Sequence, residues 1–137
     1  MVGIMKKVIA FVCTHNSCRS QMAEGWIKHF ASDIFEVYSA GTEEYSGPKP
    51  LAIEVMEDAG IEMKGHYSKL LSDIPEKFDI LITMGCGVEC PYVPATHRED
   101  WGLDDPSGGP KKGFEETRDL IKVKVLELIE LVKQGKI

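Results

Sequence analysis

Cys13 and Arg19 are the residues whose types and spacing most directly suggest chemistry. They bracket the segment CTHNSCR, in which an arginine follows a cysteine after five intervening residues. A cysteine thiolate is a strong nucleophile, and a guanidinium offers forked N–H donors to the oxygens of an oxyanion. The pair therefore predicts a nucleophile beside an oxyanion site. The spacing alone is a weak signal, and a buried structural cysteine in a strand–helix turn is the alternative.

The surroundings of this segment strengthen the prediction. An apolar run at Lys7–Val12 predicts a buried strand before it, and helical spacing in Ser20–Ala31 predicts a helix after it. Backbone N–H groups and the helix dipole at such a junction favour an oxyanion and a thiolate. Ser17 or Ser20 could donate a hydrogen bond to the sulfur, and Ser20 could also cap the helix. The predicted oxyanion-binding loop comprises Thr14, His15, Asn16, Ser17, Cys18, Arg19 and Ser20, with Cys18 expected to be mainly structural.

Two further groups carry reactive side chains. Asp104 and Asp105 precede Pro106, so they either begin a turn or place a carboxyl group where it can protonate a leaving oxygen. A carboxyl group beside a bound oxyanion has its pKa raised by the like charge and keeps its proton longer. Cys86 and Cys90 are four positions apart. On a helix that spacing gives a separation of about 6 Å, which is close enough for a disulfide.

The elements that must position these groups alternate between strand and helix. This order predicts an α/β fold, a three-layer sandwich around a central four-stranded parallel sheet. Ligands of such sheets bind outside the carboxyl ends of the strands, where Cys13 and Cys86 would both lie. The remaining expected strands are Phe35–Ser39, Asp79–Met84 and a short one near Arg98–Leu103, and the remaining helices are Leu51–Ala59, ended by Gly60, and Phe114–Gln134, ended by Gly135.

Length and charge limit the classes of function. The chain has 137 residues and a formal net charge of -6. This length predicts a single domain, 1–137, and an acidic chain without a basic block is a poor candidate for nucleic acid or an anionic membrane. No apolar run is long enough to span a membrane, and Lys6 and Lys7 interrupt the apolar start. We therefore expect a cytoplasmic protein with no membrane partner.

Three segments in this order resemble one family. The segments CTHNSCRSQMAEGW from Cys13, YSAGT from Tyr38 and WGLDDPSG from Trp101 resemble the low-molecular-weight tyrosine phosphatases. They are more similar still to the thioredoxin-coupled arsenate reductases of that fold. The resemblance implies that Cys13 is the nucleophile, that Arg19 binds the oxyanion and that Asp105 is the general acid. We expect no cofactor and no metal ion at this site.

The same resemblance implies a relay of three cysteines. Cys13 attacks arsenate, Cys86 then attacks the Cys13 sulfur and releases arsenite, and Cys90 attacks Cys86. Thioredoxin or a similar dithiol protein reduces the resulting Cys86–Cys90 disulfide. The expected partners are therefore arsenate and a dithiol reductant, and the enzyme is expected to be a monomer.

A phosphotyrosine phosphatase is the main alternative, because it needs only Cys13, Arg19 and Asp105. Three features favour the reductase instead. The second cysteine pair serves no purpose in phosphatase chemistry. Ser107-Gly108-Gly109 stands where the phosphatases usually place aromatic residues, and Gln21 stands where they usually have proline.

A non-enzymatic oxyanion-binding or zinc-stabilised regulatory module is the third possibility. Its zinc ligands would be Cys86, Cys90 and His97, and the sequence offers no convincing fourth ligand. His29, His66 and His97 are otherwise expected to be surface or structural residues.

Some members of the family bind potassium beneath the loop. The resemblance places Asn16, Glu24 and Ser39 at matching positions, but Lys69 stands where those members have an aspartate. Loss of a carboxylate weakens a cation site, and the lysine ammonium could itself occupy the position of the charge. We therefore predict no strong dependence on potassium.

Overall fold

The computed structural model describes residues 6–13, 18–41, 47–75, 77–84, 95–104, 106 and 108–137. Four strands lie in these ranges: β1 (Lys7–Cys13), β2 (Phe35–Gly41), β3 (Phe78–Thr83) and β4 (Ala95–Asp100). They form one sheet in the order β2-β1-β3-β4, and every neighbouring pair is parallel. The predicted α/β fold with a four-stranded parallel sheet is confirmed.

Strand β4 begins three residues earlier than the expected start at Arg98. Its sequence, ATHRED, is polar, and its side chains alternate between exposed and half-buried positions. Such a pattern is typical of an edge strand. Because its sequence contains no apolar run, the hydrophobic pattern does not show where this strand begins.

The described residues include three α-helices: α1 (Arg19–Ala31), α2 (Pro50–Asp58) and α3 (Lys111–Lys133), with a short 3-10 helix at Leu71–Asp73. Proline stands at the start of α2, where its missing N–H costs no helical hydrogen bond. Gly60 and Gly135 follow α2 and α3 with φ of +84° and +74°, which confirms both predicted stops. None of the helices in the described ranges is long and apolar enough to cross a membrane.

The two faces of the sheet are covered differently within the described residues. Ile9 and Phe11 point to the face on which all three helices pack, because alternate residues of a strand face opposite sides. Ala10 and Val12 point to the other face, where a smaller cluster includes Ile74. The main core therefore lies between the sheet and the helices and includes Met22, Ile27, Val55, Met56, Ile121 and Val125.

Gly25 allows α1 to lie close to the segment around α2. A Cβ atom added to it would lie 3.0 Å from Met56 Cε and 3.0 Å from Met63 Sδ, which is tighter than ordinary packing. A larger residue at this position would require the ends of these two methionine side chains to move. The close packing holds α1, which begins next to the predicted oxyanion-binding loop.

The segments that leave the strands at the carboxyl edge of the sheet are joined by backbone hydrogen bonds. The N–H of Met84 donates to the carbonyl of Val12 at 3.0 Å, and the N–H of Trp101 donates to the carbonyl of Thr83 at 2.8 Å. The Trp101 ring packs against Phe11, with centroids 5.5 Å apart. This edge is where α/β sheets bind their ligands.

Candidate active site

Cys13 and Ser20 meet where β1 gives way to α1. Cys13 is the last residue of β1 and is 3% exposed, and its Sγ lies 2.9 Å from Ser20 Oγ. The predicted contact between Ser20 and the sulfur is therefore confirmed. When the sulfur is a thiolate, the hydroxyl must be the donor, and this hydrogen bond stabilises the anion.

The expectation that Ser20 caps the helix is wrong. The N-cap residue is Cys18, and no side chain caps α1. Ser20 lies in the first turn, where its own backbone is already helical, so its hydroxyl is directed to the sulfur instead of to a backbone N–H. Cys18 is buried in the main core, as expected for a structural cysteine.

Arg19 is held by two backbone carbonyls from distant parts of the chain. Its Nη1 donates to the carbonyl of Met84 and to the carbonyl of Leu103, each at 2.8 Å. The residue is only 4% exposed. Carbonyl oxygens carry no net charge, so these two bonds orient the guanidinium without cancelling its charge.

The structure thus brings together Cys13, Arg19 and Ser20 of the predicted site. Met84 and Leu103, whose carbonyls accept from Arg19, stand two positions before Cys86 and Asp105 in the sequence. Seven of the predicted residues lie outside the described residues: Thr14, His15, Asn16, Ser17, Cys86, Cys90 and Asp105.

The zinc alternative gains no support from the described part of the chain. His97 Nε2 lies 2.7 Å from Glu99 Oε2 on the edge strand β4. The described residues contain no group of three or more His, Cys, Asp or Glu side chains arranged to hold a metal ion. Cys86 and Cys90, its other proposed ligands, lie outside those residues.

A second polar cluster surrounds Glu24, one turn along α1 from the reactive group. Ser39 Oγ donates to Glu24 Oε1 at 2.5 Å, and Lys28 Nζ lies 2.7 Å from Oε2. Lys69 Nζ lies 3.7 Å from Oε1 and also donates to the carbonyl of Tyr67 at 2.9 Å. Lys69 therefore places its ammonium beside the buried carboxylate.

Gln21 and His66 extend this cluster. Gln21 is fully buried; its Nε2 donates to the carbonyl of Tyr67 at 2.8 Å, and its Oε1 lies 2.9 Å from His66 Nδ1. The same Nδ1 lies 3.5 Å from Glu24 Oε2. Since an amide oxygen only accepts, Nδ1 carries the proton of the imidazole. The sequence indicates no partner for His66, because its contacts are 42 and 45 positions away. The contact of this cluster that the sequence could have indicated is the ion pair between Glu24 and Lys28, which are four positions apart on a helix.

Charges in this cluster shift three pKa values. Burial opposes the charge of Glu24, but hydrogen bonds from Lys28 and Ser39 and the charge of Lys69 outweigh burial and lower the pKa of that carboxyl. Burial lowers the pKa of His66, against the attraction of Glu24. Burial also lowers the pKa of Lys69, because Glu24 compensates it only in part and Lys28 repels it. The ionised form of Glu24 is therefore stabilised, because several donors converge on its carboxylate.

The sequence matches the family described as low molecular weight phosphotyrosine protein phosphatase over residues 8–136. The match covers nearly the whole chain, and the chain belongs to this family.

Within the family, this chain is similar to arsenate reductases. The arsenate reductase of Staphylococcus aureus (strain Newman) is 44% identical over 124 residues, which cover 88% of this chain and 94% of that protein. A solved structure described as an arsenate reductase in the phosphate binding state is 38% identical, has a TM-score of 0.84 and covers 92% of this chain and 98% of its own. The structure of the thioredoxin-dependent arsenate reductase Cg_ArsC1' of Corynebacterium glutamicum is 29% identical, has a TM-score of 0.80 and covers 98% of this chain and 65% of its own. The resemblance to arsenate reductases drawn from the three segments is confirmed.

Proposed function

We propose that this protein is an arsenate reductase that works through Cys13 and is regenerated by thioredoxin. The single observation that carries the proposal is the buried sulfur of Cys13 beside the Ser20 hydroxyl, at the start of a helix whose first residue is Arg19. Thiolate, hydroxyl donor and guanidinium are the groups that nucleophilic attack on an oxyanion needs. The substrate is proposed from the relatives, which are named arsenate reductases and are up to 44% identical to this chain.

The first half-reaction forms a bond between sulfur and arsenic. The Cys13 thiolate attacks arsenic(V), and one arsenate oxygen leaves as water after Asp105 gives it a proton. Arg19 and the backbone N–H groups of loop 14–17 hold the remaining oxygens. The neighbouring described residues support this placement, because the loop connects the end of β1 to the first turn of α1.

The second half-reaction moves two electrons from thiols to arsenic. Cys86 attacks the Cys13 sulfur, the S–S bond forms, and the electron pair of the S–As bond stays on arsenic, which leaves as arsenite. Cys90 then attacks Cys86 and frees the Cys13 thiolate. Thioredoxin supplies two electrons by exchange with the Cys86–Cys90 disulfide. A relative at 29% identity is named as thioredoxin-dependent, which supports this reductant.

The cytoplasm is the compartment that this chemistry requires. Three thiols must return to the reduced state after every turnover, and cytoplasmic thioredoxin systems keep thiols reduced.

A phosphotyrosine phosphatase is the second candidate, because the matching family carries that description. Its phosphocysteine would be hydrolysed by water, so it needs neither Cys86 nor Cys90. Gln21 argues against it, since the buried side chain is engaged with Tyr67 and His66 at a position where the phosphatases usually have proline.

The deciding experiment is arsenate-dependent oxidation of NADPH in the presence of thioredoxin and thioredoxin reductase. The wild-type protein should consume one NADPH for each arsenate. Cys86→Ser and Cys90→Ser should each abolish this turnover and retain slow hydrolysis of an aryl phosphate, because the first attack needs only Cys13. Cys18→Ala, a change in a buried cysteine outside the relay, is the matched control and should retain reduction.

Two results would overturn the proposal. A wild-type protein that hydrolyses aryl phosphates but never oxidises NADPH with arsenate would be a phosphatase. Normal reduction of arsenate by both Cys86→Ser and Cys90→Ser would show that the relay is wrong.

A further inference from the structure

Arg19 connects two segments that are far apart in the sequence. Its Nη1 atom has two N–H bonds, and both are used: one on the carbonyl of Met84, 65 positions away, and one on the carbonyl of Leu103, 84 positions away. Both bonds are 2.8 Å long and the side chain is buried. The two bonds that orient the guanidinium therefore also join these two segments to the start of α1.

The two carbonyls lie where the other proposed reactive groups begin. Met84 directly follows β3 and stands two positions before Cys86, and Leu103 stands two positions before Asp105. The backbone N–H groups of Met84 and Trp101 donate to the carbonyls of Val12 and Thr83 in the sheet. The carbonyls of Met84 and Leu103 accept hydrogen bonds from Arg19.

We propose that Arg19, through Nη1, is a positioning residue that fixes the starting points of the segments carrying Cys86 and Asp105 relative to Cys13. The inference rests on the proposed function and adds to it. It assigns to Arg19 a second role in the closure of the Cys13–Cys86 disulfide, a step that needs no bound oxyanion.

Oxyanion-free oxidation separates this role from anion binding. Hydrogen peroxide transfers one oxygen to the Cys13 thiolate, which becomes a sulfenic acid, and the other oxygen leaves as hydroxide, which takes a proton from the solvent. Cys86 then attacks this sulfur, the S–S bond forms and hydroxide leaves. Both steps are followed in a Cys90→Ser background, with and without the change at Arg19, because the relay then stops at the Cys13–Cys86 disulfide. Trapping with dimedone measures the sulfenic acid, and mass spectrometry measures the disulfide, so the two rates are obtained separately.

Arg19→Lys keeps the positive charge but lacks the planar fork. We expect disulfide closure in this variant to be at least about tenfold slower than in the wild-type protein, with a smaller change in the rate of sulfenic acid formation. Methylguanidinium added to Arg19→Ala should restore part of the closure rate. An unchanged closure rate in Arg19→Lys would overturn the inference, because a residue limited to oxyanion binding has no role in this step.

Hydrogen exchange locates the effect. In Arg19→Lys, the amides of Met84 and Trp101 should exchange at least about tenfold faster, while the amides of β2 keep their wild-type rates. Ser20→Ala is the matched control in the same helical turn and should leave the amides of Met84 and Trp101 unchanged. Equal exchange at these two amides in Arg19→Lys and the wild type would contradict the inference.

The wild-type protein gives a test that does not depend on a variant folding. Two bonds to Nη1 should hinder rotation about the Cζ–Nη1 bond, so NMR should resolve two separate, slowly exchanging Hη1 protons of Arg19. A single averaged signal that exchanges rapidly would overturn the proposal. None of these outcomes depends on arsenate turnover, so failure of the inference and failure of the proposed function are distinguishable.

Discussion

Two neighbouring parts of α1 place buried charged side chains in different surroundings. In the first turn, Arg19 donates from Nη1 to two neutral carbonyls, and Ser20 approaches the sulfur of Cys13. One turn further on, Glu24 accepts from Ser39 and faces the ammonium groups of two lysines. The two acceptors on Nη1 carry no net charge, whereas the acceptor in the second group is a carboxylate that faces two ammonium groups.

This difference separates the proposed reactive site from a structural cluster. We propose that the first group binds and attacks an anion, because backbone carbonyls orient its guanidinium and a hydroxyl lies next to its sulfur. A carboxylate already surrounded by hydrogen-bond donors and ammonium groups attracts a further cation only weakly. Its contacts with Ser39 and Lys69 instead hold α1 against β2 and the segment around Lys69. Substitutions in the two groups should therefore change different observables.

The largest expected effect is on activity at Cys13. Cys13→Ser removes the nucleophile, and we expect arsenate reduction and aryl phosphate hydrolysis to fall by about 10⁴-fold or more. Steady-state assays of both reactions measure this. Cys18→Ala is the control from the core side of the same loop, and it should lower the melting temperature while both activities remain. If Cys18→Ala were as inactive as Cys13→Ser, the distinction between reactive and structural cysteines would be lost.

A matched pair of serines tests the comparison directly. Ser20→Ala removes the hydroxyl beside Cys13, and we expect the rate of Cys13 alkylation by iodoacetamide at neutral pH to fall about tenfold, since a hydrogen bond to a charged group is worth about 1.5–3 kcal/mol. Ser39→Ala removes a donor to the buried Glu24 and should lower the free energy of unfolding by about 1–3 kcal/mol, with normal alkylation.

The serine comparison would be broken by crossed effects. Slow alkylation in Ser39→Ala, measured at a temperature where the variant is folded, would mean that the Glu24 cluster controls the reactivity of the sulfur. A large loss of stability in Ser20→Ala without slower alkylation would mean that Ser20 is a packing residue.

Local patterns were enough to predict most of the fold. The apolar runs of β1 and β3, the helical periodicity of α3 and the glycine stops each depend on residues close in sequence. The start of β4 was misplaced because an edge strand with polar side chains carries no apolar signal. The predicted pairing of Ser20 with Cys13 also depended on a short segment, in which both residues flank one loop.

The remaining features of the site depend on contacts between distant residues. Nothing near Arg19 in the sequence indicates that the carbonyls of Met84 and Leu103 are its acceptors, because backbone carbonyls have no residue-specific signature. The environment of His66 likewise requires the fold to bring Gln21 and Glu24 to it. The family resemblance drew attention to Lys69, but its position beside Glu24 became visible only in three dimensions.

The pH dependence of stability should come from the Glu24 cluster. Burial holds the pKa of His66 below its ordinary value, so the folded state keeps it neutral while the unfolded state binds a proton below a pH of about 6.5. The unfolded state then binds more protons, and stability decreases as the pH falls. Glu24, whose pKa is also lowered, adds a further loss at more acidic pH, as the pH falls through its lowered pKa. Urea unfolding at pH 7.5 and 5.5 should show a loss of about 1 kcal/mol, greatly reduced in His66→Gln.

His29 provides the matched histidine control for this pH effect. It is exposed on α1 and contacts only the rings of Trp26 and Phe30 among the ring contacts of the described residues. His29→Gln should therefore lose the same stability between pH 7.5 and 5.5 as the wild type. If His29→Gln abolished the pH dependence and His66→Gln did not, the dependence would belong to the surface and not to the cluster.

The smallest expected effect is that of potassium. Glu24 already faces the ammonium groups of Lys28 and Lys69 and accepts a hydrogen bond from Ser39, so a monovalent cation would have to approach two like charges. Specific binding of a cation to the folded state would raise the melting temperature with its concentration. We expect melting temperatures in equal concentrations of KCl and NaCl to agree within about 1 °C, a difference in stability well below 1 kcal/mol. A large rise in melting temperature with potassium that sodium does not reproduce would mean that the cluster around Glu24 still admits an external cation, and its description as a purely structural cluster would then fail.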